Sequence, residues 1–213
     1  MIAIIDYGLG NLGSISNMLK VIGEKTRVTS DREIIERADG IILPGVGAFD
    51  SGMEELKNLG LVEVIKSEAK KDKPILGICL GMQLLGVRSE EGVLPGLSLI
   101  PFECKKFRFE NNSLKVPHMG WDIVDFKMKH PILNGLEGQQ RFYFVHSFYA
   151  RCDEEENVLM TCNYGHVFAA AVAKGNVVGV QFHPEKSHDF GMALLGNFVN
   201  MCHVPRNGYT GGR

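Results

Sequence analysis

Short apolar runs alternate with helical patterns along the first half of the chain. One run, Gly40–Leu43, is wholly apolar, which is typical of a strand buried on both faces of a parallel sheet. The segments between the runs show the spacing of helices that cover such a sheet. The predicted strands are Ile2–Ile5, Lys25–Val28, Gly40–Leu43 and Pro74–Ile78, and the predicted helices are Ser14–Ile22, a short helix capped by Ser30 and Glu33, one that starts at Ser51 with Glu54, Leu61–Lys70, and Leu80–Val87.

The second half contains mostly strand-like runs separated by turns. We expect an α/β fold, with an open, mostly parallel sheet covered by helices on both faces and additional antiparallel strands in this half. Residues 1–203 are expected to form a single domain, and residues 204–213 a frayed tail rich in glycine and charge. The predicted strands are Glu103–Phe109, Leu114–Val116, Trp121–Phe126, Phe142–Val145, Val158–Cys162, Val167–Ala173 and Val177–Phe182, with hairpin turns at Asn111-Asn112 and Lys174-Gly175-Asn176 and a closing helix over Asp189–Met201.

Composition narrows the class of protein. The 213 residues are 45% hydrophobic and 23% charged, as in soluble globular proteins, and the net charge of -2 favours neither nucleic acid nor an anionic membrane as a partner. The start of the chain lacks the features of a signal peptide. Five scattered cysteines without a C-x-x-C pair argue against a disulfide framework or a zinc site and favour the cytoplasm. We expect no metal and no cofactor.

The segment Gly77–Gly81 places a cysteine between a predicted strand and a predicted helix. A small-x-nucleophile-x-small turn of this kind exposes its central side chain at a helix N-terminus. The helix dipole there favours the thiolate of Cys79. From this turn alone, a buried core cysteine is an equally good interpretation.

A second glycine-rich loop, Gly8–Gly13, matches G-x-G-x-x-G after the first strand. In this context the motif indicates a dinucleotide site, with Asp31 near the position of a ribose-binding acid. The alternative is a plain strand-to-helix turn. No second nucleotide-binding half follows, which favours the turn.

A cysteine nucleophile needs a base, and the base needs a group that orients it. His183 ends the predicted strand Val177–Phe182 and is followed by Pro184 and Glu185. The residue before a proline is extended, so positions i and i+2 point the same way and Glu185 can reach the imidazole. Taken alone, this motif fits a surface histidine better than a catalytic one.

The loop Pro44–Gly47 follows the third predicted strand. Its two glycines let backbone amides approach an oxyanion, and the amide of Leu80 is a natural second donor. Like Cys79 and His183, this loop comes at the C-terminal end of a strand. Open α/β sheets carry their sites at that edge.

Together these motifs resemble a known family. The segments 77–83 (GICLGMQ) and 182–187 (FHPEKS) are similar to the triad glutamine amidotransferases, whose fold is flavodoxin-like. Residues 44–49 (PGVGAF), 117–121 (PHMGW) and 144–147 (FVHS) resemble more specifically the glutaminase subunits of imidazole glycerol phosphate synthase, in histidine biosynthesis. The resemblance runs from Met1 to about His203. Residues 86–92 depart from the usual family pattern.

The resemblance implies a role for each candidate residue. Cys79 would attack the side-chain amide of glutamine, His183 would transfer the proton, and Glu185 would orient His183. Water would then hydrolyse the thioester to glutamate. The implied oxyanion donors are Leu80 and Gly45, Val46 and Gly47, and the implied contacts of the substrate's amino-acid end are Gln83, Ser147 and Phe148.

The resemblance also implies a partner. Ammonia would pass through a protected channel to a (β/α)-barrel cyclase subunit, which makes imidazole glycerol phosphate and an aminoimidazole carboxamide ribonucleotide. For Trp121, an interface anchor and a core residue are equally good interpretations. For Lys186, the alternative to an interface contact is a charge that only faces solvent. The positions expected at the interface are Asn11, His118, Met119, Trp121 and Lys186.

Other functions stay open at this level. The chain could be the glutaminase of another synthase, a degenerate binding subunit without catalysis, or a cysteine hydrolase that acts alone. Residues 117–121 favour a glutaminase subunit of imidazole glycerol phosphate synthase over the glutaminase of another synthase. Intact Cys79, His183 and Glu185 argue against a non-catalytic subunit.

Overall fold

The computed structural model describes residues 1–110 and 114–204. Its strands and helices follow the predicted alternation in the first half of the chain. The strands are β1 (Ile2–Ile5), β2 (Thr26–Thr29), β3 (Gly40–Leu43), β4 (Ile75–Ile78), β5 (Arg88–Ser89), β6 (Phe102–Lys106), β7 (His118–Phe126), β8 (Gln140–His146), β9 (Phe148–Cys152), β10 (Val158–Tyr164), β11 (His166–Lys174) and β12 (Val177–Val180). The helices are α1 (Leu12–Ile22), α2 (Arg32–Arg37), α3 (Phe49–Asn58), α4 (Leu61–Lys70), α5 (Leu80–Leu85) and α6 (His188–His203).

One sheet joins the two halves of the described chain. Its main path runs β2-β1-β3-β4-β12-β11-β10-β7-β8. Pairing is parallel from β2 to β12 and antiparallel from β12 onward. The shorter strands β5, β6 and β9 branch from β11. The sheet therefore contains strands from both halves of the described chain.

Helices cover both faces of the parallel part, because its strands alternate between two apolar cores. Ile2 and Ile4 of β1 pack in the same core as residues of α1 and α6. Ala3 and Ile5 face the opposite core, which contains residues of α3, α4 and α5. Successive residues of a strand point to opposite faces, so a strand buried on both sides must be apolar throughout. The predicted fold class is confirmed.

Several boundaries differ from the predictions for local reasons. The cap of α2 is Asp31 and not Ser30, because the Asp31 carboxylate accepts from the amides of Glu33 and Ile34. Helix α3 begins at Phe49, before Ser51. Elsewhere, β6 ends at Lys106 and not at Phe109. Two further strands, Arg88–Ser89 and Phe148–Cys152, were not predicted by the pattern.

The predicted strand Leu114–Val116 is wrong. The segment is irregular, and the Lys115 carbonyl accepts a hydrogen bond from the hydroxyl of Tyr164. It leads into Pro117, which has no amide hydrogen to donate to a sheet. The turn predicted at Lys174-Gly175-Asn176 does join β11 to β12, whereas that at Asn111-Asn112 and residues 205–213 of the predicted tail lie outside the described residues.

The loop Gly8–Gly13 packs against a second loop of the sheet edge. A Cβ atom on Gly10 would lie 3.1 Å from the Cβ of Pro44. Asp31, the candidate ribose-binding acid, instead caps α2. Both observations favour the structural turn over a dinucleotide site. Among residues 1–110 and 114–204, no helix is long and apolar enough to cross a membrane.

Candidate active site

The nucleophile turn lies between β4 and α5. Cys79 has φ 54° and ψ -111°, a backbone conformation that non-glycine residues rarely adopt. Close packing explains the small flanking residues: a Cβ on Gly81 would lie 1.8 Å from the Leu43 carbonyl oxygen, and one on Gly77 would lie 2.7 Å from that of Gly81. The Cys79 side chain is buried, yet it lines a cleft of about 370 Å³. The side chain is therefore not enclosed in the core but borders the cleft, as the prediction of a nucleophile requires.

His183 lines the same cleft, and Glu185 lies behind it. The His183 Nδ1 is 2.8 Å from a Glu185 carboxylate oxygen, and both side chains are almost fully buried. The other ring nitrogen, Nε2, is buried and has no hydrogen-bond partner within the described part of the chain. The backbone that carries the ring is also held, because the Ser187 hydroxyl donates to the His183 backbone carbonyl at 2.7 Å.

The charge state of His183 follows from its two neighbours. Burial by itself favours the neutral ring, but interactions with Cys79 and Glu185 outweigh burial and raise the pKa of His183 to about 9. The imidazole therefore carries its proton at neutral pH. A protonated imidazole favours the thiolate of an adjacent cysteine, which is the reactive form.

The loop after β3, the third part of the predicted site, lies beside the Cys79 turn. Its Gly45–Val46 peptide, however, is not oriented to bind an oxyanion. The Leu80 amide donates to the Gly45 carbonyl at 3.3 Å. In a trans peptide the carbonyl and the next amide hydrogen point in opposite directions, so the Val46 amide faces away from that side. In this conformation the Leu80 amide is therefore already bonded, and the Val46 amide, another predicted oxyanion donor, is turned away. Gly47 has φ 112°, a conformation that favours glycine.

The predicted substrate-contact residues also line the cleft. Gln83, Ser147 and Phe148 lie in its wall with Cys79 and His183. The Gln83 Nε2 donates to the Phe148 carbonyl at 3.3 Å. One helical turn separates Gln83 from Cys79, which brings both to the same side of α5.

His146, which sequence reasoning did not assign to the cleft, forms another part of its wall, and His118 lies behind it. His146 Nδ1 donates to the Phe148 carbonyl at 2.7 Å, and His146 Nε2 lies 3.0 Å from Nδ1 of His118. His118 Nε2 lies 2.9 Å from an Asp122 carboxylate oxygen. Burial lowers the pKa of His146 to about 3, against a rise from its bond to the Phe148 carbonyl. His146 is thus neutral where His183 is charged.

A buried amide completes the site. Gln181, which is fully buried, follows β12 and lies two residues before His183. Its Nε2 is 3.9 Å from the sulfur of Cys79. The i, i+2 argument that paired His183 with Glu185 also puts Gln181 on the side of His183, and this signal could have identified it.

The residues expected at a partner interface divide into two groups. Met119, Trp121 and Lys186 are exposed, and Asn11 is partly exposed. Trp121 is 40% exposed and its ring stacks on His188, which rules out a core role. His118 corrects the expectation: its ring is 1% exposed and faces His146, because it alternates with Met119 along β7.

Known proteins are similar to this chain over almost its full length. The glutamine amidotransferase class-I family matches residues 3–202. Imidazole glycerol phosphate synthase subunit HisH 2 of Pseudomonas aeruginosa is 52% identical over 94% of this chain and 100% of its own length. The protein of the same name from Methanococcus maripaludis is also 52% identical, over 95% of this chain and 100% of its own.

Solved structures share the fold at low sequence identity. A glutamine amidotransferase crystal structure has a TM-score of 0.74 at 18% identity, covering 96% of this chain and 100% of its own. A chain of PurLQS from Thermotoga maritima has a TM-score of 0.72 at 19% identity, covering 93% and 97%. The chain belongs to the class-I glutamine amidotransferases and, within them, to the HisH subunits of imidazole glycerol phosphate synthase.

Proposed function

We propose that the chain hydrolyses glutamine to glutamate and ammonia through a thioester on Cys79. The observation that carries this proposal is the position of His183, between the sulfur of Cys79 and the Glu185 carboxylate at the edge of the cleft. The Cys79 thiolate attacks the side-chain amide carbon of glutamine and forms a carbon–sulfur bond. His183 gives its proton to the leaving nitrogen, which departs as ammonia.

The second half of the reaction reverses the role of His183. The neutral ring now accepts a proton from water, and the resulting hydroxide attacks the thioester carbon. The carbon–sulfur bond breaks, the new carboxyl group loses its proton to solvent as glutamate leaves, and Cys79 returns to a thiolate beside a protonated His183. Glu185 holds Nδ1 throughout, which fixes the tautomer and stabilises the charged ring.

The loop after β3 supports control of this reaction by a partner. The Gly45 carbonyl accepts from the Leu80 amide, so a developing oxyanion would meet a carbonyl oxygen where it needs donors. Rotation of the Gly45–Val46 peptide would free the Leu80 amide and turn the Val46 amide toward the site. We infer that the isolated chain is a slow glutaminase and that the partner promotes this rotation.

The proposed partner is a cyclase subunit that uses the ammonia. The relatives above are named as subunits of imidazole glycerol phosphate synthase. The cyclase would form a heterodimer with this chain through the exposed side of β7 and receive ammonia through a protected channel. It would make imidazole glycerol phosphate and the aminoimidazole carboxamide ribonucleotide. We place the complex in the cytoplasm, where its five free cysteines stay reduced.

The test measures glutamine hydrolysis by this chain with and without a cyclase subunit and its nucleotide ligand. We expect the pair to hydrolyse glutamine at least about 10-fold faster than the chain alone, because one oxyanion donor is worth about 10²–10³ in rate. Cys79→Ala should abolish hydrolysis and leave the cyclase's reaction with added ammonia intact. Hydrolysis that persists in Cys79→Ala would contradict the mechanism, and equal rates with and without the cyclase would contradict partner control.

A further inference from the structure

The side-chain amide of Gln181 connects the proposed nucleophile with a proposed substrate contact. Gln181 is fully buried just after β12, and its Nε2 donates to the sulfur of Cys79 at 3.9 Å. Its Oε1 accepts from Nε2 of Gln83 at 3.2 Å. Burying an amide is costly unless its polar atoms have partners. Both ends of this amide face the site.

The orientation of Gln83 follows from its two acceptors. Its Nε2 donates to the Phe148 carbonyl and to Oε1 of Gln181. A carbonyl oxygen cannot donate, so a flip of the Gln83 amide would place two oxygens against each other at Phe148. The Phe148 carbonyl is itself held by His146 at 2.7 Å. These contacts leave Oε1 of Gln83 as the atom free to accept a hydrogen bond in the cleft.

We propose that Gln181 is a positioning residue for the hydrolysis, an inference that rests on the proposed function. Through its Oε1 it fixes the Gln83 amide so that an acceptor faces the ammonium group of the bound amino acid. Through its Nε2 it donates toward the Cys79 sulfur and favours the thiolate. One side chain thus sets both substrate affinity and nucleophile charge.

Two substitutions separate the two contributions. Gln181→Glu keeps an acceptor for Gln83, removes the donor to sulfur and adds a negative charge beside it. We expect the pH midpoint of Cys79 alkylation by iodoacetamide to rise by about one unit, with the KM for glutamine changed by less than about threefold. Gln181→Met removes the acceptor as well, so KM should rise about 10-fold.

Gln140 offers a matched control. It is buried as well, its Nε2 donates to the Glu137 carbonyl at 2.6 Å, and it does not line the cleft. Gln140→Met also removes a buried amide and should leave both KM and the alkylation midpoint at wild-type values. A merely structural role for Gln181 would make the two methionine variants alike in these readouts.

The outcomes distinguish this inference from the proposed function. If Cys79→Ala still hydrolyses glutamine in the complex with the cyclase, the proposed function fails. If Cys79→Ala is inactive and both Gln181 variants keep the wild-type KM and midpoint, only the positioning role fails. Should Gln181→Met not fold, as judged by circular dichroism, Gln181→Glu decides alone: an unshifted alkylation midpoint overturns the inference.

Discussion

The cleft has two buried histidines in its walls, and their pKa values are shifted in opposite directions. His183 and His146 are 1% and 5% exposed, so burial disfavours the charged ring in both. The partners differ. His183 lies between a thiol and a carboxylate, and its pKa rises to about 9, whereas His146 binds a carbonyl and another imidazole, and its pKa falls to about 3.

The comparison shows that burial disfavours the charged ring in both histidines, and that the neighbours decide whether this effect is offset. A buried negative partner within hydrogen-bond distance compensates the desolvation of the ring. A carbonyl dipole does so only in part. The cleft therefore has one wall that holds a proton for transfer and one that stays neutral and orders the backbone at Phe148.

The largest difference between the walls should appear in the rate of hydrolysis. His183→Asn should lower kcat for glutamine by about 10⁴-fold or more, because it removes the proposed proton carrier. His146→Asn keeps a neutral donor for the Phe148 carbonyl and should lower kcat by no more than about 10-fold. The measurement is steady-state glutaminase activity in the complex with a cyclase. Equal losses in the two variants would remove the distinction between the walls.

Removal of the negative charge of Glu185 should lower both the pKa of His183 and the rate of hydrolysis. In Glu185→Gln, the side-chain oxygen still accepts from Nδ1 of His183, but the charge is gone. We expect kcat to fall by about 10²–10⁴-fold and the pKa of His183 to fall below 9. An NMR titration of the imidazole carbons gives the pKa directly. A titration that still centres near 9 would show that Cys79 alone sustains the charge.

The charged wall could be predicted from sequence, since each of its parts is local. Cys79 is flanked by glycines in a strand-to-helix turn, and His183 and Glu185 are separated by one proline. Each follows a strand of the parallel sheet, and neighbouring parallel strands end at one edge. Short-range patterns therefore placed the residues on one side of the molecule.

The neutral wall could not be predicted in this way, because it depends on strand register. His118 and His146 are 28 positions apart and meet only because β7 and β8 pair with these residues opposite each other. The strand β9 was missed because a single residue, Ser147, separates it from β8. The orientation of the Gly45–Val46 peptide is likewise invisible in a sequence, since both orientations suit the same glycine-rich loop.

The two walls should also limit stability at opposite ends of the pH range. The unfolded chain binds a proton at His146 below about pH 6.5, whereas the folded chain resists protonation down to about pH 3. Stability from the neutral His146 is therefore present above pH 6.5 and lost as the pH falls toward 3. For His183 the sign reverses: stability is present below pH 6.5 and lost as the pH rises through about 9.

Urea unfolding at several pH values tests these two limits. An excess proton bound by one state changes the free energy of unfolding by about 1.4 kcal/mol per pH unit. We expect His146→Asn to reduce the loss of stability between pH 6.5 and 4, and His183→Asn to reduce the loss between pH 6.5 and 9. Acid and alkaline slopes that match the wild type in both variants would contradict the assigned charges.

The smallest expected effect comes from a second carboxylate–histidine pair with nearly the same geometry. Asp122 and His118 are 2.9 Å apart, and Glu185 and His183 are 2.8 Å apart, but the Asp122 side chain is 39% exposed and that of Glu185 is 1% exposed. Solvent screens an exposed pair, so Asp122→Asn should change the free energy of unfolding by about 1 kcal/mol or less. Its kcat should stay within about twofold of wild type. A fall in kcat as large as that of Glu185→Gln would show that the charge of Asp122 also acts on the reacting atoms, through His118.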